Sequence, residues 1–171
     1  MAIIIQAKNQ ILREKAKEVP FKDIGSEKLK KILGEMTGAL YTAKDGVALA
    51  APQIGIPLRI FIVKKEILNR KADAQIKPII ISPLVFINPK IIKMSKKKQT
   101  VNEGCLSVNG VYGTIKRAEK LTVEALDEKG RKFTRGASGF MAQIIQHEID
   151  HLNGVLFIDE ATNLLKTRKE N

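Results

Sequence analysis

The two histidines of this chain, His147 and His151, lie four positions apart in the segment His147-Glu148-Ile149-Asp150-His151. Apolar residues around them recur every three or four positions from Ser138 onward, which is the pattern of an amphipathic helix, and Asn153-Gly154 supplies the signal that ends it. Residues four positions apart lie on the same face of a helix, about 6 Å apart along its axis. The two imidazoles can therefore reach one metal ion.

Glu148 follows His147 by one position and therefore lies about 100° further round the helix. From there its carboxylate can contact a water on the metal but is poorly placed to become a ligand, which suits a general base. A catalytic site of this kind needs a third protein ligand and keeps one position open for water. A third histidine in the spacing of metzincin peptidases would fall at Phe157, which cannot bind a metal.

The candidate for the third ligand is Cys105, the only cysteine of the chain. Gly104 before it permits the sharp backbone turn that can direct a thiolate inward. Two plainer interpretations stay open, because a lone cysteine is usually a small buried apolar residue and two histidines can decorate an ordinary helix. We favour the ligand set Cys105, His147 and His151, since the helix holds every histidine of the chain and still lacks one donor.

The pattern along the rest of the chain predicts an α+β fold. Leucines, isoleucines and Met36 at helical spacing predict an amphipathic helix from Ser26 to about Asp45. The predicted strands are 58–63, 78–82, 84–88, 90–94, 121–126 and 132–134, with a hairpin turn at 127–130 and a surface loop at 64–77. Helices that flank a run of strands indicate the α+β class.

Length and charge narrow the class of protein. We expect one domain over residues 1–171, since this length is typical of a single core. No apolar run approaches the ~20 residues of a membrane helix, and a lone cysteine that must stay a thiolate favours a reducing compartment, so we expect a cytoplasmic protein without a membrane partner. The formal net charge is +12, but the lysines are scattered and Trp is absent, so we expect no specific nucleic-acid partner.

The chain resembles peptide deformylases in three segments that occur in the order and approximate spacing of that family: Gly46-Val-Ala-Leu-Ala-Ala-Pro-Gln53, Glu103-Gly-Cys-Leu-Ser107 and Gln146-His-Glu-Ile-Asp-His151. Shorter similarities, such as Arg117-Ala-Glu-Lys120, extend it over nearly the whole chain. The resemblance implies a peptide-deformylase-like fold, with short antiparallel or mixed sheets around a central helix in the C-terminal half. It also implies a metal-dependent hydrolase that removes the formyl group from the N-terminal methionine of new polypeptides. It also implies Fe²⁺, although the ligand set suits Zn²⁺, and Ni²⁺ or Co²⁺ can substitute.

The same resemblance implies roles for further residues. The side-chain amide of Gln53 and the backbone N–H of Leu106 would stabilise an oxyanion, beside Glu148 as the proton-transfer residue. A pocket for the methionine side chain would be lined by Val47, Phe140, Gln143, Ile144 and His147. Backbone groups around Ala48 and from Gly110 to Tyr112 would pair with the peptide as a strand does. Plain core packing is the open alternative for the pocket residues.

Three features depart from the family pattern. Ala48 replaces a glycine where the backbone approaches the substrate, so either its φ is already negative or binding changes. Gln143 stands where an apolar residue is usual, and it can face outward or alter the preference for the substrate side chain. The tail after Asn163 is too short for the long C-terminal helix that some relatives use near the ribosome. We expect a monomer that acts on formylated N-termini, with contact to the ribosome surface left open.

Two other functions stay open from the sequence. A zinc peptidase or another amidase could use the same helix without the arrangement of Gln53 and Leu106. A basic nucleic-acid-binding or ribosome-binding module could carry a merely structural metal. Structural zinc sites are closed by four side chains, however, and the chain has no second cysteine or third histidine. We therefore rank the deformylase first.

Overall fold

The computed structural model describes residues 2–69 and 82–167. In this part of the chain the helices are α1 (Glu27–Thr42) and α2 (Gly139–Leu152), and the strands are β1 (Ala48–Ala50), β2 (Ile60–Val63), β3 (Leu84–Met94), β4 (Lys98–Cys105), β5 (Val108–Ala118), β6 (Lys120–Leu126), β7 (Lys132–Ser138) and β8 (Thr162–Lys166). The α+β prediction is confirmed. Two predicted elements lie largely outside the described residues, namely positions 70–77 of the predicted loop and positions 78–81 of the predicted strand 78–82.

None of the helices described is long and apolar enough to cross a membrane.

Helix α1 begins where the sequence predicts. Ser26 caps it, because its side-chain oxygen accepts a hydrogen bond from the N–H of Leu29 at 3.2 Å. The apolar face of the helix lies against the sheet that contains β1 to β3, in a cluster formed by Leu29, Ile32, Met36, Ala39, Leu40, Leu49, Ile60, Ile62 and Ile87. The helix ends at Thr42, slightly before the predicted end.

Five strands form an antiparallel sheet in the order β1-β2-β3-β6-β7. The predicted strands 84–88 and 90–94 are a single strand, because Asn88 lies at a bulge that interrupts the pairing without ending it. Asn88 has a φ of +50°, a left-handed conformation that asparagine tolerates, and its side-chain amide bonds both backbone groups of Val19. Strand β7 extends beyond the predicted Thr134 to Ser138 and leads directly into α2.

Strands β4, β5 and β8 form a second antiparallel sheet that the sequence analysis did not predict. The alternation of apolar and polar residues that signals a strand is missing from β4, whose one buried residue is Glu103, and β8 is exposed along its whole length. A short turn connects β4 to β5 directly after Cys105. The second sheet therefore determines where the cysteine lies.

Helix α2 carries both histidines and packs its apolar face on the first sheet. The shared cluster contains Phe61, Phe86, Leu121, Val123, Ile144, Ile145, Ile149 and Leu152. The helix ends at Leu152, and Gly154 follows with a φ of +76°, as its C-terminal signal predicted. A Cβ atom at Gly154 would lie 2.5 Å from the carbonyl oxygen of Arg13, so this position requires glycine for space as well as for conformation.

Candidate active site

Three side chains that can bind a metal meet at one point between two elements. Cys105 ends β4, whereas His147 and His151 lie one turn apart on α2. The Cys105 Sγ and a ring nitrogen of each histidine lie within 4.8 Å of one another, and Sγ is 3.2 Å from His151 Nε2. The structure thus brings together the three residues that the sequence analysis selected as ligands. No fourth such side chain joins this group within residues 2–69 and 82–167.

The chemistry of these donors fits a divalent ion. A thiolate and two imidazoles are ligand types that zinc and other divalent transition metals accept. The Nδ1 of His147 lies 2.9 Å from Glu103 Oε2, which leaves its Nε2 to face an ion. A carboxylate on the far nitrogen of a ligating histidine is the usual arrangement in metal sites, since it fixes the tautomer and the orientation of the ring.

The two histidines differ in their tendency to bind a proton. Burial opposes the protonation of His147, but hydrogen bonds to Cys105 and Glu103 outweigh it and raise the pKa of His147 well above its ordinary value. Burial lowers the pKa of His151 well below its ordinary value, and the charges of His147 and Arg117 lower it further. Metal ligation needs both imidazoles neutral and the cysteine ionised, so a bound ion would replace the proton on His147.

A buried ion-pair network that the sequence analysis missed supports His147. Arg117 on β5 donates to both carboxylate oxygens of Glu103, at 2.8 and 3.0 Å, and to Asp150 Oδ2 at 2.6 Å. Burial alone would raise the pKa of Glu103, but hydrogen bonds from His147 and Arg117 lower it to about 2. Glu103 therefore stays charged and keeps His147 in one orientation. Glu103 and Arg117 both lie in segments that resemble the family, and this was the only sequence signal for their role.

Glu148 lies in the cavity beside the three donors. It is 4% exposed, and its Oε2 has no hydrogen-bond partner among the residues described. Burial raises the pKa of this carboxyl group to about 7, against the opposing effect of His147. A cation bound beside it would favour the charged form again. A carboxyl group that exchanges a proton near neutral pH is suited to general acid–base catalysis.

Gln53 presents an amide N–H close to the same point. Its Oε1 accepts a hydrogen bond from the backbone N–H of Ala50 at 2.8 Å, which fixes the orientation of the amide, and its Nε2 lies 3.2 Å from Ser107 Oγ and 3.6 Å from Cys105 Sγ. Leu106 lies in the turn after β4, and both Gln53 and Leu106 line the cavity. Two different loops therefore bring Gln53 and Leu106 to the same cavity.

A cavity of about 550 Å³ opens above these groups. Its walls include all of the residues that the resemblance assigned to substrate binding, namely Val47, Ala48, Gly110, Tyr112, Phe140, Gln143 and Ile144. His151 lies behind the cavity and is 1% exposed, whereas His147 faces it. The volume is in the range of sites that enclose a small ligand or a few residues of a peptide.

The free edges of both sheets border this cavity. β1 is an end strand of the first sheet and β4 is an end strand of the second. Ala48 of β1 and Gly104 of β4 line the cavity between them. Ala48 lies in strand β1 and has a negative φ, because the described residues other than glycine that have a positive φ are Asn88 and Asn163. Its methyl group therefore causes no backbone strain. Of the two alternatives raised for Ala48, the structure supports the first, that φ is already negative.

Strand-like backbone pairing of the peptide with residues 110–112 stays a prediction, and part of their backbone is already paired within the protein. β5 is the central strand of its sheet, and Tyr112 is paired with Gly104 on one side and with Leu165 on the other. The carbonyl of Gly110 is likewise engaged, because it accepts a hydrogen bond from the N–H of Thr167 at 2.8 Å. Tyr112 and the carbonyl of Gly110 are thus engaged within the protein, although both residues line the cavity.

Gln143 does not face outward, which was one of the two alternatives that the sequence left open. It lines the cavity, and its Nε2 donates to the backbone carbonyl of Asn102 on β4 at 2.8 Å. The polar end of the side chain is therefore bound to the strand edge. Its aliphatic part is left to cover the pocket wall.

Comparison with known proteins identifies the family. A model of the polypeptide deformylase family matches residues 1–167. The chain belongs to the peptide deformylase family. Family members are metal-dependent hydrolases that remove the formyl group from the N-termini of nascent polypeptides. This confirms the resemblance, and it confirms the hydrolytic function predicted from the sequence.

Individual relatives agree with this assignment over most of the chain. The chain is 39% identical over 160 residues to peptide deformylase 2 of Clostridium acetobutylicum, with 94% of this chain and 95% of the relative covered. It is 41% identical over 160 residues to the peptide deformylase of Borreliella burgdorferi, with 94% and 87% covered. It is 39% identical over 165 residues to the longer chloroplastic peptide deformylase 1A of Solanum lycopersicum. That match covers 94% of this chain and 59% of the relative. The crystal structure of a peptide deformylase from Legionella pneumophila superposes with a TM-score of 0.81 at 37% identity, covering 95% of this chain and 87% of that chain.

Proposed function

We propose that this chain hydrolyses the formamide bond of N-terminal formyl-methionine, with Cys105, His147 and His151 holding one divalent ion and Glu148 moving the proton. The observation that supports this best is the convergence of the three donors below a cavity that also presents Glu148 and Gln53. A carboxyl group, an amide donor and an open metal site together are what amide hydrolysis requires.

The donor set favours a catalytic over a structural ion. Structural zinc sites are closed by four side chains, whereas the cluster in the described residues offers three. When bound, a divalent ion lowers the pKa of a coordinated water and polarises the formyl oxygen. We take Fe²⁺ as the native ion, with Zn²⁺, Ni²⁺ or Co²⁺ as substitutes, and residues 1–171 as one catalytic domain.

Glu148 carries one proton through the reaction. Its carboxylate takes the proton from the water as the water oxygen attacks the formyl carbon. It then gives that proton to the amine nitrogen as the C–N bond breaks, so that formate and a free amine are released. The burial of Glu148 and its unpartnered Oε2 among the described residues support this role, because desolvation makes a carboxylate a stronger base.

Gln53 and Leu106 stabilise the negative charge that develops on the formyl oxygen. The Gln53 Nε2 and the backbone N–H of Leu106 are the two donors. The hydrogen bond from Ala50 to Gln53 Oε1 supports the assignment, because it directs Nε2 toward the site before the substrate arrives. Donors that need no reorientation are the effective ones in a transition state.

The substrate peptide lies between the two free strand edges. Its backbone pairs with Ala48 on β1 and Gly104 on β4, as peptides do when they extend a sheet edge. The flexible methionine side chain packs on Val47, Phe140 and Ile144. Because these groups recognise one residue and its backbone, the rest of the nascent chain can vary.

Exchanging Gln53 for glutamate tests the oxyanion assignment. In Gln53→Glu one side-chain oxygen can still accept from Ala50, but the donor that faces the substrate is lost. We expect kcat to fall by about 10²–10³-fold with a small change in KM, since the lost bond forms mainly in the transition state. Gln99→Glu, a change of the same kind away from the cavity, is the control. A kcat for Gln53→Glu equal to that of the control would contradict the assignment.

The reaction itself is tested with formyl-Met-Ala-Ser and acetyl-Met-Ala-Ser. Protein prepared without oxygen and loaded with Fe²⁺ should release free amine rapidly from the formyl peptide and not measurably from the acetyl peptide, because the catalytic groups enclose a carbonyl that carries only hydrogen. Cleavage between Met and Ala would favour the peptidase alternative. Release from neither peptide by protein with verified metal would refute the proposed reaction.

The setting of the reaction follows from the substrate. We place the protein in the cytoplasm as a monomer that acts on formylated N-termini, where nascent chains leave the ribosome. The excess of basic residues supports proximity to an anionic surface, because the formal net charge of +12 attracts such surfaces without sequence recognition. Sedimentation with ribosomes at low and high salt would test this placement, and binding that does not weaken with salt would contradict it.

A further inference from the structure

The N-terminal segment Ile5–Ala7 contacts both loops that carry the proposed oxyanion donors. The N–H of Ile5 donates to the carbonyl of Gln53 at 2.9 Å, and the N–H of Ala7 donates to the carbonyl of Ser107 at 2.8 Å. These two loops follow end strands of different sheets. The segment therefore links two parts of the site that no common strand ladder holds together.

Gln6, between these two residues, bonds the turn after β4 with its side chain. Its Nε2 donates to the carbonyl of Leu106 at 3.1 Å, and its Oε1 accepts from the N–H of Asn109 at 3.4 Å. One amide thus connects Leu106 in the turn with Asn109 near the start of β5. The contact restrains the Leu106–Ser107 peptide group, which is adjacent to the peptide group that carries the Leu106 N–H.

The segment is anchored by packing that does not involve Gln6. Ile5 and Ala7 contact a buried apolar cluster formed by Leu12, Val108, Leu156 and Phe157. Gln6 is itself exposed. Its amide therefore has little part in the core and acts mainly on the turn.

Three of the four contacts use backbone carbonyls, those of Gln53, Leu106 and Ser107, and the fourth uses the N–H of Asn109. A direct link between the loops also exists, from Gln53 Nε2 to Ser107 Oγ at 3.2 Å. That link uses one of the two N–H groups of the amide that would also donate to the substrate oxygen. The hydrogen bonds from Ile5, Gln6 and Ala7 leave the donors free and can persist throughout the reaction.

We infer that Ile5–Ala7 is an N-terminal clamp that sets the distance between the two oxyanion donors, and that Gln6 is a positioning residue within it. The inference rests on the function proposed above. Rate depends steeply on such placement, since a displacement of about 1 Å can reduce it by about 10²-fold. Gln6 does not touch the substrate, so its effect passes through Leu106.

The test compares Gln6→Ala with Gln10→Ala, an exposed glutamine of the same N-terminal region. We expect Gln6→Ala to lower kcat about tenfold with KM changed less than about twofold, because a displaced donor affects the transition state and not substrate binding. Gln6→Glu should behave alike, since it keeps an acceptor for Asn109 but loses the donor to Leu106. Gln10→Ala should match the unaltered protein.

A spectroscopic measurement separates positioning from a general loss of structure. In the zinc-loaded protein, the NMR resonances of the Leu106 backbone amide and the Gln53 side-chain amide should shift in both Gln6 variants and stay in place in Gln10→Ala. Metal content and melting temperature should be equal in all four proteins. Unmoved resonances with unaltered kcat would overturn the inference, as would a loss of rate that accompanies a loss of metal. If the unaltered protein does not release amine from formyl peptides, the proposed function fails, and the resonances alone decide on the clamp.

Discussion

Glu148→Gln should lower kcat by about 10²–10⁴-fold, the usual contribution of a positioned general acid–base group. Glutamine has nearly the same size and can occupy the same buried position, but it cannot take a proton from water. Glu148 does not belong to the donor cluster of Cys105, His147 and His151, so the variant should retain its metal. The measurements are steady-state rates with formyl-Met-Ala-Ser and metal analysis of the same preparation.

The control for this variant is Glu160→Gln, which removes an equal charge from an exposed site. Its rate should equal that of the unaltered protein. A Glu148→Gln variant with an unchanged kcat would remove the proton-transfer assignment. Loss of metal together with activity would instead mean that Glu148 maintains the metal site, and the assignment would fail for that reason.

The two helices were predictable because their signals are local. Apolar spacing and the stop signal at Asn153-Gly154 each act within a few residues of the chain, and the structure confirms both. The Ser26 cap, which the structure adds, is equally local. Strand β3 was predicted as two strands, 84–88 and 90–94, on either side of Pro89. The hydrogen bonds between Asn88 and Val19, which keep the strand continuous, join residues that are far apart in sequence.

The second sheet was not predictable from periodicity. Strand β4 turns a charged residue, Glu103, toward the interior, and this reverses the usual relation between polarity and exposure. Glu103 is tolerated there because Arg117 and His147 bond its carboxylate. The contact with His147 requires a buried acid in β4, and that buried acid removes the polarity pattern from which the strand could have been predicted.

The reactive residues of the candidate site were predictable from the sequence, but the contacts that support them were not. The types and spacing of Cys105, His147, Glu148 and His151 pointed to one cluster, since the chain has only one cysteine and two histidines. The supporting contact between Arg117 and Asp150 was not predictable, because it depends on how β5 lies against α2. Local patterns indicate which residues react, whereas only the register of strands shows which residues support them.

Cys105→Ser should weaken metal binding by more than about 10²-fold, because it replaces an anionic thiolate by a neutral hydroxyl that ionises only at high pH. The loss should exceed the 10–100-fold effects typical of residues that only support a ligand. Serine is nearly the same size as cysteine, so the packing of this half-buried position should change little. Competition with a chelator for Zn²⁺ or Co²⁺ measures the change in affinity.

Thermal unfolding distinguishes a lost ligand from a damaged fold. Metal that binds only the folded protein stabilises it by about 2.7 kcal/mol at a free concentration of 100 times Kd. Added Zn²⁺ should therefore raise the melting temperature of the unaltered protein and of Ser107→Ala, which keeps all three donors, but not that of Cys105→Ser. Without metal the three proteins should unfold at similar temperatures. If Cys105→Ser binds metal as tightly as Ser107→Ala, Cys105 is not a ligand, and His147 and His151 must share the ion with another group.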